Sequence, residues 1–477
     1  MTATDICFWP ATEIARCIRT KELTAREVME AHYDQIERYN PTVNAIVSLL
    51  DRDEALGLAD DADHQLNSGG TIGPLHGLPI AHKDLHETRG MRTTFGSPLY
   101  RDYVPDFDCL VVERLRAAGG ITIGKTNVPE FGAGSHTFNP VFGTTRNPFD
   151  VTKSAGGSSG GAGAALASGM LPIADGGDSG GSLRNPGNFN NVVGFRPSPG
   201  RVPSWPSKDA WAGLTVKGPM ARTVGDVALM LSVMAGPDHR APISISSAPP
   251  DYRGRLERDF RGVRIAWSSD LGGLPVEPQV TAAIESQLTA FESVGCIIEE
   301  ATPNFDGADE AYEILRSASF ALSGRERLRN HRELLKETVI WNIEDGLKRT
   351  AEEVAWAHET RTLTYHRVRQ FLSGYEFFLC PVNQVAPFDA KLEYPRSIGE
   401  IEMDNYVAWM RSASRITLTG LPAISVPCSF TPQGLPVGIQ IVGRWQSDLS
   451  VLQLAHAFEQ CTQRWKRRPS MCESIDR

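Results

Sequence analysis

The chain has 477 residues, 41% hydrophobic and 22% charged, which leaves enough apolar material for a large core. A formal net charge of −9 and a pI near 5.7 argue against a nucleic-acid binder, which normally carries basic clusters. No window approaches 18 uninterrupted apolar residues, so no membrane-spanning helix is expected.

Residues 1–10 lack a basic region followed by an apolar core, so no signal peptide is expected. The eight cysteines are scattered, with no CxxC pair and no zinc-ligand spacing, and a cytoplasmic chain with reduced thiols fits this best. Residues 13–20 and 24–39 read as helices. The second opens on a capping box, Thr24 with Glu27, and is expected to end before Asn40-Pro41. A strand at 45–49 and a polar helix at 52–67, closed by Ser68-Gly-Gly70, come next. Gly77-Leu-Pro-Ile-Ala-His-Lys83-Asp84 reads as a short apolar strand ending in a lysine. A helix at 109–118 meets Gly119-Gly120, and the β-branched run 121–123 comes after it.

Further short strands are expected at 263–267 and 296–299. This alternation of helix and strand argues for a layered α/β domain. From 308 to 372 the pattern is almost wholly helical and reads as a cover over the sheet. Strands at 377–381, 423–430 and 437–442 come after it, the last two forming a hairpin across Thr431-Pro-Gln-Gly434, and a helix at 448–460 closes the chain. The run Arg464-Trp-Lys-Arg-Arg468 reads as a solvated helix end. No internal repeat or linker is visible, so one domain over 1–477 is expected.

Three local motifs compete for a functional reading. Gly119-Gly-Ile-Thr-Ile-Gly-Lys125-Thr126 matches the phosphate-loop pattern, but that loop needs a strand before it and a helix after the lysine. Here a helix comes first, the run 121–123 looks like the strand itself, and Pro129 interrupts the segment after the lysine. Gly156-Gly-Ser158-Ser-Gly160 matches a nucleophile elbow, yet Pro148, Asp150 and Lys153 make a poor buried strand before it. His82 and His86 flank Lys83 at metal-ligand spacing without a third ligand nearby, and packed or surface histidines are the simpler reading. No metal is expected.

The most informative stretch runs from 156 to 186. Gly156-Gly-Ser-Ser-Gly-Gly-Ala-Gly163 and Asp178-Ser-Gly-Gly-Ser-Leu-Arg-Asn-Pro186 are two serine-bearing, glycine-rich loops. The segment joining them suits about two helical turns and a short strand, so both loops can return to one place. Glycines there supply positive φ and let N–H groups approach a ligand closely. With the gap from Ser158 to Ser182 and the lysine ending a Gly-Leu-Pro strand, the chain resembles the amidase signature family of serine hydrolases. Weaker resemblance continues through Gly124-Lys-Thr-Asn-Val-Pro-Glu130, Gly143-Thr-Thr-Arg-Asn-Pro148 and Gly420-Leu-Pro-Ala-Ile-Ser-Val-Pro427.

The resemblance implies a single large α/β domain with a central mixed β-sheet flanked by helices on both faces. Its signature core would span about 75–220, with the variable helical cover at about 306–375. It implies a Ser-Ser-Lys triad: Ser182 as nucleophile, Lys83 as base, and Ser158, after a cis peptide bond, as the relay between them. The backbone N–H groups of Ser179, Gly180, Gly181 and Ser182 are the expected oxyanion hole. Asp178 and Arg184 are expected to hold the glycine turn as an ion pair, with Ser159 as an additional hydrogen-bonding group. Asp84, next to Lys83 on a strand, should point the other way.

The implied reaction is amide hydrolysis through an acyl-enzyme, with ester or aryl carbamate cleavage as a side activity and no cofactor. The implied partner is a small amide substrate, without nucleic acid or membrane, and a homodimer is left open. Aromatic residues in two loops (Phe131, Phe138, Phe142, Trp205, Trp211) point to an apolar or aryl substrate. One rival is an amidotransferase subunit that hydrolyses glutamine to feed ammonia to a partner working on charged tRNA. This chain departs from the usual pattern of such subunits at Gly177-Asp-Ser179 and at Asn185-Pro-Gly-Asn-Phe-Asn190. A Ser-His-Asp esterase of another fold and a catalytically silent binding protein are the remaining alternatives.

Overall fold

The computed structural model describes residues 6–473. Near the N-terminus, helices Ala11–Arg19 and Ala25–Val43 bury their apolar faces. The Thr24 side chain accepts from Glu27 N while Glu27 reaches back to Thr24 N, making the expected capping box. The second helix does not stop before Asn40-Pro41; it runs through Pro41 to Val43. Pro41 lies in the last turn, and Asn40 Oδ1 accepts from the N–H groups of Ala45 and Ile46, which ties the chain off just beyond it. The polar helix spans Arg52–Asn67, as its periodicity predicts.

Among the described residues, eleven strands build the two main sheets: β1 Ile46–Val47, β2 Pro79–Lys83, β3 Ile121–Thr126, β4 Ile173–Asp178, β5 Val193–Arg196, β6 Val216–Ala221, β7 Arg264–Trp267, β8 Ile297–Glu300, β9 Phe377–Pro381, β10 Ala423–Phe430 and β11 Pro436–Gly443. A small sheet has the order β1-β3-β2, with β2 parallel to β3. The central sheet has the order β8-β7-β9-β11-β10-β5-β6-β4. It is mixed: β7 runs parallel to β8 and β9, and the other neighbours are antiparallel.

Both faces of the central sheet are covered. On β9, Phe377 and Leu379 join the core packed against Val451 and Phe458 of helix Asp448–Thr462. Phe378 and Cys380 point the other way, into the core with Leu315 and Val368 of the cover. That alternation is the period of two that a strand imposes, and it fixes an α/β fold with helices on either side. The cover is three helices, Ala308–His331, Glu337–Lys348 and Ala351–Phe371, within the stretch expected to form it.

The phosphate-loop match resolves as β3 itself. Lys125 lies inside that strand with its amine buried, donating to Thr88 Oγ1 at 2.8 Å and to the carbonyl of His86. The residues before Ser158 form Asp150–Ser154, a strand of a two-stranded hairpin outside both main sheets. Ser158 is therefore not carried on an elbow at the end of a central strand.

Candidate active site

Strand β2 ends on Lys83, 1% exposed, beside the edge strand β4. A buried carboxylate ties the two strands together. Asp175 on β4 receives His82 Nδ1 at 2.7 Å and His86 Nδ1 on its other oxygen, and the Lys83 N–H points at it from 3.4 Å. Burial alone would raise the Asp175 carboxyl, but the two histidines hold it well below its usual range. His82 and His86 are thus packed residues that clamp two strands. Asp84 faces away, accepting from Thr94 N and Thr94 Oγ1, as a strand neighbour of Lys83 must.

The loop before helix Gly160–Ala167 brings two hydroxyls to the lysine. Lys83 Nζ lies 2.8 Å from Ser158 Oγ, 2.8 Å from Ser159 Oγ and 3.4 Å from the Gly177 carbonyl. The Gly157–Ser158 peptide is cis, as the resemblance implied, and Gly156 sits at φ +72°. Burial, reinforced by the neighbouring Lys217 charge, lowers the Lys83 amine to about 7; Asp178 and Asp175 act against the shift without cancelling it. An amine at that value exchanges its proton near neutral pH.

Asp178, the last residue of β4, organises the second serine loop. Its carboxylate accepts from both Arg184 Nε at 3.0 Å and Arg184 Nη2 at 2.9 Å, from Gly181 N at 2.9 Å and from Leu183 N at 3.2 Å. A second guanidinium, that of Arg196 on β5, reaches the same carboxylate at 3.1 Å. Burial pushes the Asp178 carboxyl upward, but the two guanidiniums outweigh it and hold the group well below its usual range. The expected Asp178–Arg184 pair is present, as part of a three-member cluster. Arg196 was missed because nothing in Gly194-Phe-Arg196 marks it apart from any strand-end arginine.

The Gly181 N–H is already used by Asp178, so it departs from the expected set of four oxyanion donors. The N–H groups of Ser179, Gly180 and Ser182 have no acceptor among the described residues. Ser182 Oγ likewise makes no hydrogen bond there and lines the same cavity as Lys83 and Ser158. Among the described residues no histidine bonds to these serines; His136 goes instead to Ser154 Oγ. Gly180 cannot carry a side chain as built, because a Cβ there would fall 2.0 Å from Tyr312 Oη, which donates to the Ser179 carbonyl at 3.0 Å. Gly180→Ala should push Tyr312 off the loop, destabilise the protein by about 1–3 kcal/mol as overpacking does, and lower kcat/KM for amide hydrolysis at least about tenfold, some 1.4 kcal/mol of barrier. Wild-type kinetics in that variant would mean that Tyr312 moves aside freely.

The cavity has a volume of about 520 Å³. One wall is aromatic: Phe95, Tyr100, Tyr103 and Phe131, with Phe95 stacked 6.3 Å from Phe131. Of the five aromatic residues expected to shape the pocket, only Phe131 lines it. Phe138 and Phe142 lie under Lys336 and Arg92, Trp205 packs on Phe107, and Trp211 is 78% exposed beside a neighbouring cavity. The segment 95–103, with three aromatic residues in nine, was the overlooked signal. The cover adds Tyr312, Arg316 and Phe320 to the lining.

A buried lysine amine bonded to two serine hydroxyls, beside a mixed sheet covered on both faces, defines a class of α/β protein by its fold and site. Comparison with known proteins places the chain within that class. The pattern describing the amidase family matches residues 27–452. The acylamidase of Rhodococcus erythropolis is 36% identical over 463 residues, covering 96% of each chain. A glutamyl-tRNA(Gln) amidotransferase subunit of Symbiobacterium thermophilum is 34% identical, covering 97% of this chain and 99% of its own. Among solved structures, a bacterial aryl acylamidase of the amidase signature family superposes with a TM-score of 0.88 at 29% identity, over 96% of this chain and 98% of that one. The chain belongs to the amidase signature family, and it is an amide-hydrolysing enzyme.

Proposed function

We propose that the chain is a serine hydrolase that cleaves the C–N bond of small apolar or aryl amides through an acyl-enzyme on Ser182. The observation that carries this reading is the buried Lys83 amine 2.8 Å from Ser158 Oγ, in the cavity that Ser182 also lines. A neutral amine has two N–H groups and one lone pair. Ser159 Oγ and the Gly177 carbonyl suit the two N–H groups, which leaves the lone pair for the Ser158 hydroxyl proton.

Ser158 passes its proton to Lys83 while taking that of Ser182, and Ser182 attacks the carbonyl carbon. The developing oxyanion is received by the N–H groups of Ser179, Gly180 and Ser182, each worth about 3 kcal/mol if aimed at the charge. The proton then returns through Ser158 to the departing nitrogen, the amine or ammonia leaves, and water hydrolyses the ester on Ser182 by the same relay. Esters and aryl carbamates form similar tetrahedral intermediates and are expected as side substrates.

The test is labelling by a fluorophosphonate together with turnover of a simple anilide. Label on Ser182, lost in Ser182→Ala along with turnover, is expected; a label on another residue, or an active Ser182→Ala enzyme, would overturn the assignment. The likeness to a glutamyl-tRNA(Gln) amidotransferase subunit supports a second reading, glutamine hydrolysis for a partner. Glutaminase activity without anilide turnover would favour it, and anilide turnover without glutaminase activity would exclude it.

A further inference from the structure

Although the chain carries a formal net charge of −9, its active-site cavity is lined by Lys208, Lys217, Arg316 and Arg327 against one carboxylate, Glu87. Arg316 is the instructive member. It is 6% exposed, and no carboxylate lies within ion-pair distance of it among the described residues. Two acidic groups on its own helix are engaged elsewhere: Asp309 holds Arg415 at 2.6 Å and Glu313 holds Arg411 at 3.3 Å.

The guanidinium is nevertheless fixed. It donates to Asn342 Oδ1 and to Tyr406 Oη, and lies 4.6 Å from the Phe320 ring centroid. Tyr406, 2% exposed, also accepts from Asn342 Nδ2 at 2.8 Å, so its own hydroxyl proton has no acceptor among the described residues. Both Arg316 and Tyr406 line the cavity. A buried charge without a counter-ion is costly, and a preset guanidinium beside a free hydroxyl donor suits a two-oxygen anion.

We propose that the amide taken by this site carries a carboxylate, on its acyl or its amine side, that seats on Arg316 and the Tyr406 hydroxyl within the positive field of Lys217 and Arg327. This rests on the acyl-transfer reading above and sharpens it: an aryl group meets the aromatic wall, and a carboxylate meets the cover.

The experiment compares matched pairs. On the acyl side these are the mono-p-nitroanilide of glutaric acid and valeryl p-nitroanilide; on the amine side, 4-carboxyacetanilide and acetanilide. In at least one pair the carboxylate member should be favoured in kcat/KM by about tenfold or more. That ratio should collapse in Arg316→Gln and survive in Arg316→Lys. Preference for the neutral member in both pairs by wild-type enzyme, which needs no variant to fold, would overturn the proposal, as would an unchanged ratio in Arg316→Gln. Calorimetric binding of the same compounds to Ser182→Ala separates the two readings. Tighter binding of a carboxylate amide without turnover by wild-type enzyme sinks the acyl-transfer reading alone, and turnover of neutral amides without carboxylate preference sinks this proposal alone.

Discussion

Replacing Lys83 with Ala is expected to lower kcat/KM for amide hydrolysis by about 10³-fold, within the range that a positioned general base supplies, with the fold retained. The expectation comes from where the amine sits. It is buried, its proton affinity is lowered to about 7, and its closest partners are two hydroxyls, not a carboxylate. Lys83→Met, which keeps most of the volume, should be equally inactive and thereby separates lost chemistry from lost packing.

The same amine is expected to set the pH dependence. A base works in its unprotonated form, so kcat/KM of the wild-type enzyme should rise with pH through one ionisation near 7 and level off above it. A profile flat from about pH 5 to 9 would remove Lys83 from the proton path, and so would near-wild-type turnover by Lys83→Ala.

The second large effect is on stability. Asp178→Asn removes the only carboxylate that Arg184 and Arg196 contact among the described residues, and both guanidiniums are fully buried. Breaking a buried ion cluster from one side leaves uncompensated charge, and about 3–5 kcal/mol of unfolding free energy should be lost in denaturant titration near pH 7. Because the carboxyl is held below its usual range, its stabilisation is present above the ordinary value and fades only as pH falls through the lowered one. The deficit of Asp178→Asn should therefore persist down to about pH 4. Activity should fall as well, since Asp178 also holds the N–H groups of Gly181 and Leu183 on either side of Ser182. A loss under about 1 kcal/mol would show that the two arginines find other partners.

What the sequence could determine was local or motif-borne. Helix Arg52–Asn67, the Thr24–Glu27 capping box, the hairpin of β10 and β11 and the helical cover all come from periodicity, caps and turn residues, each a property of a few neighbouring positions. The two glycine–serine loops and the lysine-ended strand were enough to indicate the family. Packing decided the rest. Lys83 meets serines 75 and 76 residues away, Arg196 joins Asp178 from another strand, Asp175 clamps two histidines, and the cavity is walled by 95–103 and the cover instead of the loops whose aromatic residues stood out. Burial and desolvation, which lower the proton affinity of Lys83 and leave Arg316 without a counter-ion among the described residues, arise only when distant segments exclude water together. No stretch of sequence records that event in its own residues.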